Sequence, residues 1–119
     1  MDTDLAGFLR ARLDEDDALA RACAGDSHWT DDAIAVLAPQ LAIEPRLHIA
    51  RHDPARVMDD VAAKRRMLDS HYSHRGVCPT CFDQRNRPML RERWPCETAR
   101  LIALPYADHP DYQEEWRPK

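Results

Sequence analysis

The sequence predicts a mainly α-helical protein with one short β element. Two long stretches, about 4–24 and 54–71, carry apolar residues at the three- and four-residue spacing of an amphipathic helix. A shorter apolar helix is expected at about 98–104, and the segment before it contains cysteines and turn residues instead of helical periodicity. A chain of 119 residues with 44% hydrophobic residues is long enough for one compact core. We therefore expect a single domain over 1–119.

Both long helices have sequence signals at one end and an apolar face. The first helix stops at Gly25, and the second begins at Asp53-Pro54, where Asp is a good N-cap and Pro suits the first helical position. The apolar faces consist of Leu5, Phe8, Leu9 and Leu13 in the first helix and of Val57, Val61 and Leu68 in the second. These faces predict that the two helices pack together.

The remaining segments have weaker patterns. Residues 26–46 contain a short apolar run before Pro39, which favours a small strand pair, and a short helical turn is expected from Arg46 to His52. At the other end of the chain, the last helix is ended by Pro105. The aromatic residues beyond it are typical of anchors that tie a tail to the core; they are Tyr106, Tyr112 and Trp116.

Composition and net charge argue against some classes of function. The net charge of −4 argues against a generally basic nucleic-acid binder and against a polybasic membrane-surface protein. The charge is segregated, however, because residues 51–100 hold 11 basic and 7 acidic residues. No uncharged stretch approaches the roughly 20 residues that a bilayer needs, and Met1–Asp4 is acidic where a signal peptide is basic. We expect a cytoplasmic protein without a membrane partner.

Three of the four cysteines have the spacing of a metal site. In a reducing cytosol, cysteines more often bind metal or carry out redox chemistry than form disulfides. Cys78 and Cys81 have the knuckle spacing that lets two sulfurs reach one ion, and Cys96 follows after a 14-residue excursion, 82–95. Zinc takes four such ligands, so we expect one structural zinc ion per chain within the segment 71–96.

The fourth ligand must be a histidine or another cysteine. His71 is the preferred candidate because it lies one turn beyond Leu68 on the inner face of the second helix, and His74 and then Cys23 are the alternatives. The predicted metal ligands are His71, Cys78, Cys81 and Cys96. With all four positions filled by protein, no position is left for a catalytic water.

Other chemistry has weaker support. A Cys-x-x-Cys dithiol oxidoreductase is an alternative, although Arg75–Val77 shows no preceding strand of the kind that motif follows. His48 and His52 lie four residues apart, but Ile49 occupies the position where a zinc protease has its catalytic Glu. We expect them to be packing or capping histidines. No phosphate-binding loop or nucleophile elbow is present, so we expect no enzyme and no catalytic residue.

The excursion 82–95 is rich in arginine. Its arginines are Arg85, Arg87, Arg91 and Arg93. An arginine hairpin beside a metal can grip phosphate, which makes a nucleic-acid-binding protein the main alternative function. Asp83 and Glu92 interrupt the run, so we favour another protein as the partner.

Three phrases carry a family resemblance: LAGFLRARLDED (Leu5–Asp16), HIARHDPARVMDDVAAKRRMLDSH (His48–His71) and PCETARLIALPYADHPDYQEEW (Pro95–Trp116). In them the chain resembles an actinobacterial family of uncharacterised small proteins, domain of unknown function 6221. Many of its members similarly show a histidine ending the second helix, a cysteine pair and a Pro-Cys before the last helix, which implies His71 as the fourth ligand. The resemblance implies no activity, substrate or partner.

The resulting expectation is a small zinc-stabilised domain built from long helices and a zinc-knuckle hairpin. We expect it to act as a protein-interaction or regulatory module.

Overall fold

The computed structural model describes residues 4–23 and 28–119 and is mainly helical. The helices are α1 (Leu5–Ala22), α2 (Asp31–Leu37), α3 (Ile43–Arg51), α4 (Pro54–Ser70) and α5 (Glu97–Ala103), and the strands are β1 (Val77–Asp83) and β2 (Arg87–Arg93). The two strands form an antiparallel hairpin, and short 3-10 turns follow α5. This confirms the predicted class, mainly α with a short β element. In the part of the chain that the structure describes, no helix is long and apolar enough to cross a membrane.

The chain divides into two compact units, which are described separately. The first unit comprises Met1–Leu13 and Lys64–Lys119, and the second comprises Asp14–Ala63. The division falls inside α1 and inside α4. The single domain over 1–119 and the packing of the two long helices against each other stay predictions.

The core of the first unit is built around the start of α1. Its four predicted apolar residues, Leu5, Phe8, Leu9 and Leu13, are all buried, which confirms the helical spacing read from the sequence. Other elements of this unit complete the core with Leu68, Cys78, Cys96, Ala99, Ile102, Ala103 and Trp116. The cysteines of the predicted metal site therefore lie within the apolar core of this unit.

An aromatic cluster ties the C-terminal tail to α1. The Phe8 ring lies 5.0 Å from the ring of Trp116 and 6.0 Å from that of Tyr112, measured between centroids. Arg12 lies beside the same ring and also contacts Nδ1 of His109, at 3.2 Å. The predicted anchoring roles of Tyr112 and Trp116 are confirmed.

The second unit corrects the prediction of a strand pair in residues 26–46. In the described part of that range, 28–46, the chain forms α2 and the start of α3 instead. Thr30 caps α2 by accepting the N–H of Ala33 at 3.1 Å, and the acidic residues after it favour a helix N-terminus. The apolar run before Pro39 is too short for its periodicity to distinguish a strand from a helix. The cap at Thr30 favours the helix.

The start of α4 matches the prediction at Asp53-Pro54. The Asp53 carboxylate accepts the N–H of Arg56 at 2.9 Å and the N–H of Trp29 at 3.1 Å. The bond from Arg56 is the main cause of a pKa of Asp53 below its ordinary value, because it stabilises the charged form. This one side chain therefore caps α4 and holds the backbone ahead of α2.

We expect Phe8→Ala to lower the free energy of unfolding by about 3–5 kcal/mol, because it leaves a cavity in the core of the first unit. Urea unfolding followed by circular dichroism measures the loss. Leu19→Ala is the matched control in the same helix, since Leu19 is 72% exposed, and it should change stability by less than about 0.5 kcal/mol. Equal losses for the two variants would contradict the assigned core face of α1.

Candidate metal centre

The hairpin contains two irregularities that compensate each other. The paired residues are Val77 with Arg93, Phe82 with Arg91, and Asp83 with Arg87. Between the first two pairs, the four residues Cys78–Cys81 on β1 lie opposite only Glu92 on β2. Between the second and third pairs, the three residues Pro88–Leu90 of β2 have no counterpart on β1. β1 therefore has three extra residues at the first irregularity, and β2 has three extra residues at the second. Because these numbers are equal, Asp83 pairs with Arg87 in the same register in which Val77 pairs with Arg93.

Local backbone geometry turns the chain from α4 into the knuckle. Arg75 and Gly76 both have positive φ, 53° and 84°, a left-handed conformation that suits Gly and reverses the chain ahead of β1. Within the knuckle, the N–H of Thr80 points at Sγ of Cys78 at 3.5 Å. The Thr80 hydroxyl donates to the carbonyl of Ser70 and so connects the knuckle to the end of α4.

His71 is the residue that directly follows α4, and it lies beside the knuckle. Its N–H donates to the carbonyl of Leu68 at 3.3 Å, and Leu68 is buried in the core. The imidazole Nδ1 lies 3.6 Å from Sγ of Cys78, 3.4 Å from Sγ of Cys81 and 3.6 Å from Sγ of Cys96. All four donor atoms lie within 4.8 Å of one another. The structure thus brings together one nitrogen from the residue after α4 and three sulfurs from β1 and the residue before α5.

These separations fit a single tetrahedral metal ion. With bonds of about 2.3 Å to sulfur and about 2.0 Å to nitrogen, tetrahedral geometry places the nitrogen about 3.5 Å from each sulfur. The three observed nitrogen–sulfur distances, 3.4–3.6 Å, are close to that value. The four described cysteines are free thiols, with no disulfide between Cys78 and Cys81. The four donors are therefore positioned to bind one metal ion.

Burial makes the thiols of Cys81 and Cys96 poor acids in the absence of a cation. Burial raises the pKa of Cys96 to about 12, with the nearby sulfurs of Cys78 and Cys81 adding to the rise and the N–H of Ala99 opposing it. Burial is also the main cause of the raised pKa of Cys81. Because a metal binds the thiolate, an ion that enters this cluster must displace protons and supply the compensating charge.

The two alternative fourth ligands are not part of the cluster. His74 is exposed, and its backbone pairs with Val77 in an isolated bridge. Cys23 lies beyond the end of α1, is half-buried, and its thiol donates to the carbonyl of Leu19 at 3.5 Å. Among the described residues, His71 is therefore the fourth donor that accompanies the three cysteines.

The other candidate residues have local roles. His52 is the C-cap residue of α3, and its Nδ1 lies 2.9 Å from the carbonyl oxygen of His48. This geometry supports the predicted capping role. One neighbour of the cluster was not predicted from the sequence: Oγ1 of Thr98 lies 3.8 Å from Sγ of Cys81. Thr98 follows Cys96 by two residues, and a threonine at that place carries no distinctive sequence signal.

We expect His71→Ala to weaken metal binding by at least about tenfold, because it removes one of four donors from the cluster. Titration with Co²⁺ measures the effect, since thiolate-to-cobalt charge transfer and the ligand-field bands report a tetrahedral site. His74→Ala is the matched control and should bind Co²⁺ like the wild type. The reverse ranking of the two variants would contradict the assignment of the fourth donor.

Comparison with known proteins identifies the family of the chain. Searches of curated proteins and of solved structures found no match. A family described as "Family of unknown function (DUF6221)" matches residues 2–118, nearly the whole chain, and confirms the resemblance seen in the sequence. The chain belongs to the DUF6221 family.

Proposed function

We propose that the protein is a small protein-interaction or regulatory module whose hairpin is held by a structural zinc ion. His71, Cys78, Cys81 and Cys96 are the proposed ligands. The observation that carries the proposal is the set of three nitrogen–sulfur separations of 3.4–3.6 Å around one imidazole nitrogen. Such spacing is typical of four ligands that share one tetrahedral ion.

The donor chemistry favours zinc over other metals. Three thiolates and one neutral imidazole are soft and borderline ligands, whereas calcium and magnesium require oxygen ligands, which the cluster lacks. A Cys₃His set is one of the common structural zinc sites. Its formal charge with zinc bound is −1.

The donor count supports a structural role for the ion. Catalytic zinc sites keep one position open for water or substrate, and here protein donors account for all four positions. The bound ion would connect the end of α4, the β1 knuckle and the N-cap of α5, where Cys96 lies. A unit of this size buries too little apolar surface to be very stable by its core alone. The binding free energy of an ion at this junction would add to the stability of the fold.

A dithiol oxidoreductase is a poorer fit to the same cysteines. Catalysis of disulfide exchange needs an accessible thiol with a lowered pKa. Cys78 is fully buried, and burial raises the pKa of Cys81. We therefore propose that the protein is not an enzyme of this class, and the described residues provide no alternative constellation that we assign to catalysis.

The outer side of the hairpin supports a role in protein binding. The compensating bulge Pro88–Leu90 presents Met89, 88% exposed, and Leu90, 50% exposed. Methionine, arginine and aromatic residues are enriched in protein interfaces, and β-bulges often redirect side chains at functional places. A hairpin with one end held by the metal would present this bulge as a preformed contact surface.

The first test of the proposal is zinc content and its coupling to folding. We expect one zinc ion per chain by mass spectrometry of the metals, and we expect a strong chelator to lower the melting temperature by more than about 10 °C. Cys81→Ser should behave like the chelated protein, because it removes one ligand.

Cys23→Ser is the matched control for loss of a thiol outside the cluster. It should retain one zinc ion and melt close to the wild type. Purified protein that contains no zinc, or a melting temperature that chelation leaves unchanged, would contradict the proposal.

A further inference from the structure

A solvent-open cavity of about 590 Å³ lies within the first unit, beside the hairpin and the start of α5. Five basic and three acidic side chains line it, together with Phe82 and Pro95. Its size is within the range of sites that bind small ligands or a few residues of a peptide. We name it the hairpin pocket.

The three acidic side chains of the hairpin pocket are already engaged. Glu97 pairs with Arg85 at 3.1 Å, and Asp83 pairs with Arg87 at 3.8 Å and accepts the N–H of Asn86. Glu92 accepts the N–H of Glu97 at 2.8 Å. None of these carboxylates therefore requires a partner from outside.

The basic side chains of the hairpin pocket differ in whether they already have a hydrogen-bond or ion-pair partner. Arg100 donates to the carbonyls of Pro95 and Glu115, which holds its guanidinium in place. Arg93 and Lys119 also line the hairpin pocket, and over residues 4–23 and 28–119 neither side chain has a hydrogen bond or ion pair. The Arg85–Glu97 pair is exposed, so exchanging its partner costs little. The hairpin pocket thus has cationic groups available for an anionic ligand.

An aromatic ring supplies the apolar part of the hairpin pocket. Phe82 is 44% exposed, and the guanidinium of Arg91 lies 4.3 Å from its ring centroid. Arg91 is the cross-strand partner of Phe82, so the hairpin holds this pair in register. The exposed part of the ring can receive an apolar side chain next to the cationic groups.

We propose that the hairpin pocket binds an acidic segment of a protein partner, with a carboxylate on Arg93 and an apolar side chain on Phe82. This inference rests on the proposed function, because it names the chemistry of the partner of the interaction module. The mixed lining favours a peptide over a nucleic acid. The three carboxylates of the lining repel a phosphodiester chain, which carries a negative charge on every nucleotide, whereas a peptide can place one carboxylate at Arg93 and uncharged groups beside them.

Fluorescence anisotropy with defined probes tests the inference on the full chain. The probes are a labelled peptide of alternating glutamate and leucine, the same peptide with glutamine in place of glutamate, and a labelled single-stranded oligothymidylate. We expect the acidic peptide to bind at least about tenfold more tightly than the glutamine peptide and than the oligonucleotide.

Charge reversal locates the binding. Arg93→Glu should weaken binding of the acidic peptide by at least about tenfold, because it replaces the proposed carboxylate contact with a like charge. Arg66→Glu is the matched control: it makes the same change of net charge at an exposed position of α4 that does not line the hairpin pocket. This variant should bind within about twofold of the wild type.

Three results would overturn the inference. They are no binding of the acidic peptide, equal losses in Arg93→Glu and Arg66→Glu, and tighter binding of the oligonucleotide that Arg93→Glu abolishes. Zinc content is measured in the same samples to separate the two proposals. If the protein holds one zinc ion and does not bind the acidic peptide, only the proposal for the hairpin pocket is refuted. If protein without zinc binds the peptide and Arg93→Glu abolishes this binding, the proposal for the hairpin pocket is supported and the proposed zinc site is refuted.

Discussion

The convergence of three sulfur atoms on one imidazole nitrogen is the constraint around which the first unit is organised. The donors come from the turn after α4, from β1 and from the residue before α5, and two of the three cysteines are fully buried. Burying several thiols around a histidine has no packing advantage over burying aliphatic side chains. The arrangement is explained if a cation replaces the thiol protons and connects the three elements.

The geometry of the hairpin follows from the same constraint. A regular two-stranded ladder has no room for Cys78–Cys81 to turn both sulfurs toward one point, so β1 carries three more residues than its partner there. The opposite bulge at Pro88–Leu90 restores the register and presents Met89 to solvent. Thus one change in register has two consequences. It turns the sulfurs of Cys78 and Cys81 toward His71, and it exposes the apolar bulge at Pro88–Leu90. The hairpin pocket lies beside this hairpin, where Arg93 and Phe82 are close in register to the knuckle.

The parts that the sequence predicted well are those with a strong local or compositional signal. Leu5, Phe8, Leu9 and Leu13 repeat over a long helix, and Asp53-Pro54 marks a helix start by capping chemistry, so both were assigned correctly. The structure also gathers His71 with the three cysteines that the sequence selected. In contrast, residues 28–46 form helices that are too short to show periodicity, and the cap at Thr30 decides their structure. The hairpin pocket depends on residues distant in sequence, from Phe82 to Lys119, and no linear pattern predicts their assembly.

The central claim, a structural zinc ion with a Cys₃His ligand set, is tested most directly by X-ray absorption at the zinc edge of the purified protein. The account predicts a first shell of three sulfurs at about 2.3 Å and one nitrogen at about 2.0–2.1 Å, with no exchangeable water. A shell that contains oxygen ligands, a sulfur count other than three, or protein in which no zinc is found would contradict it.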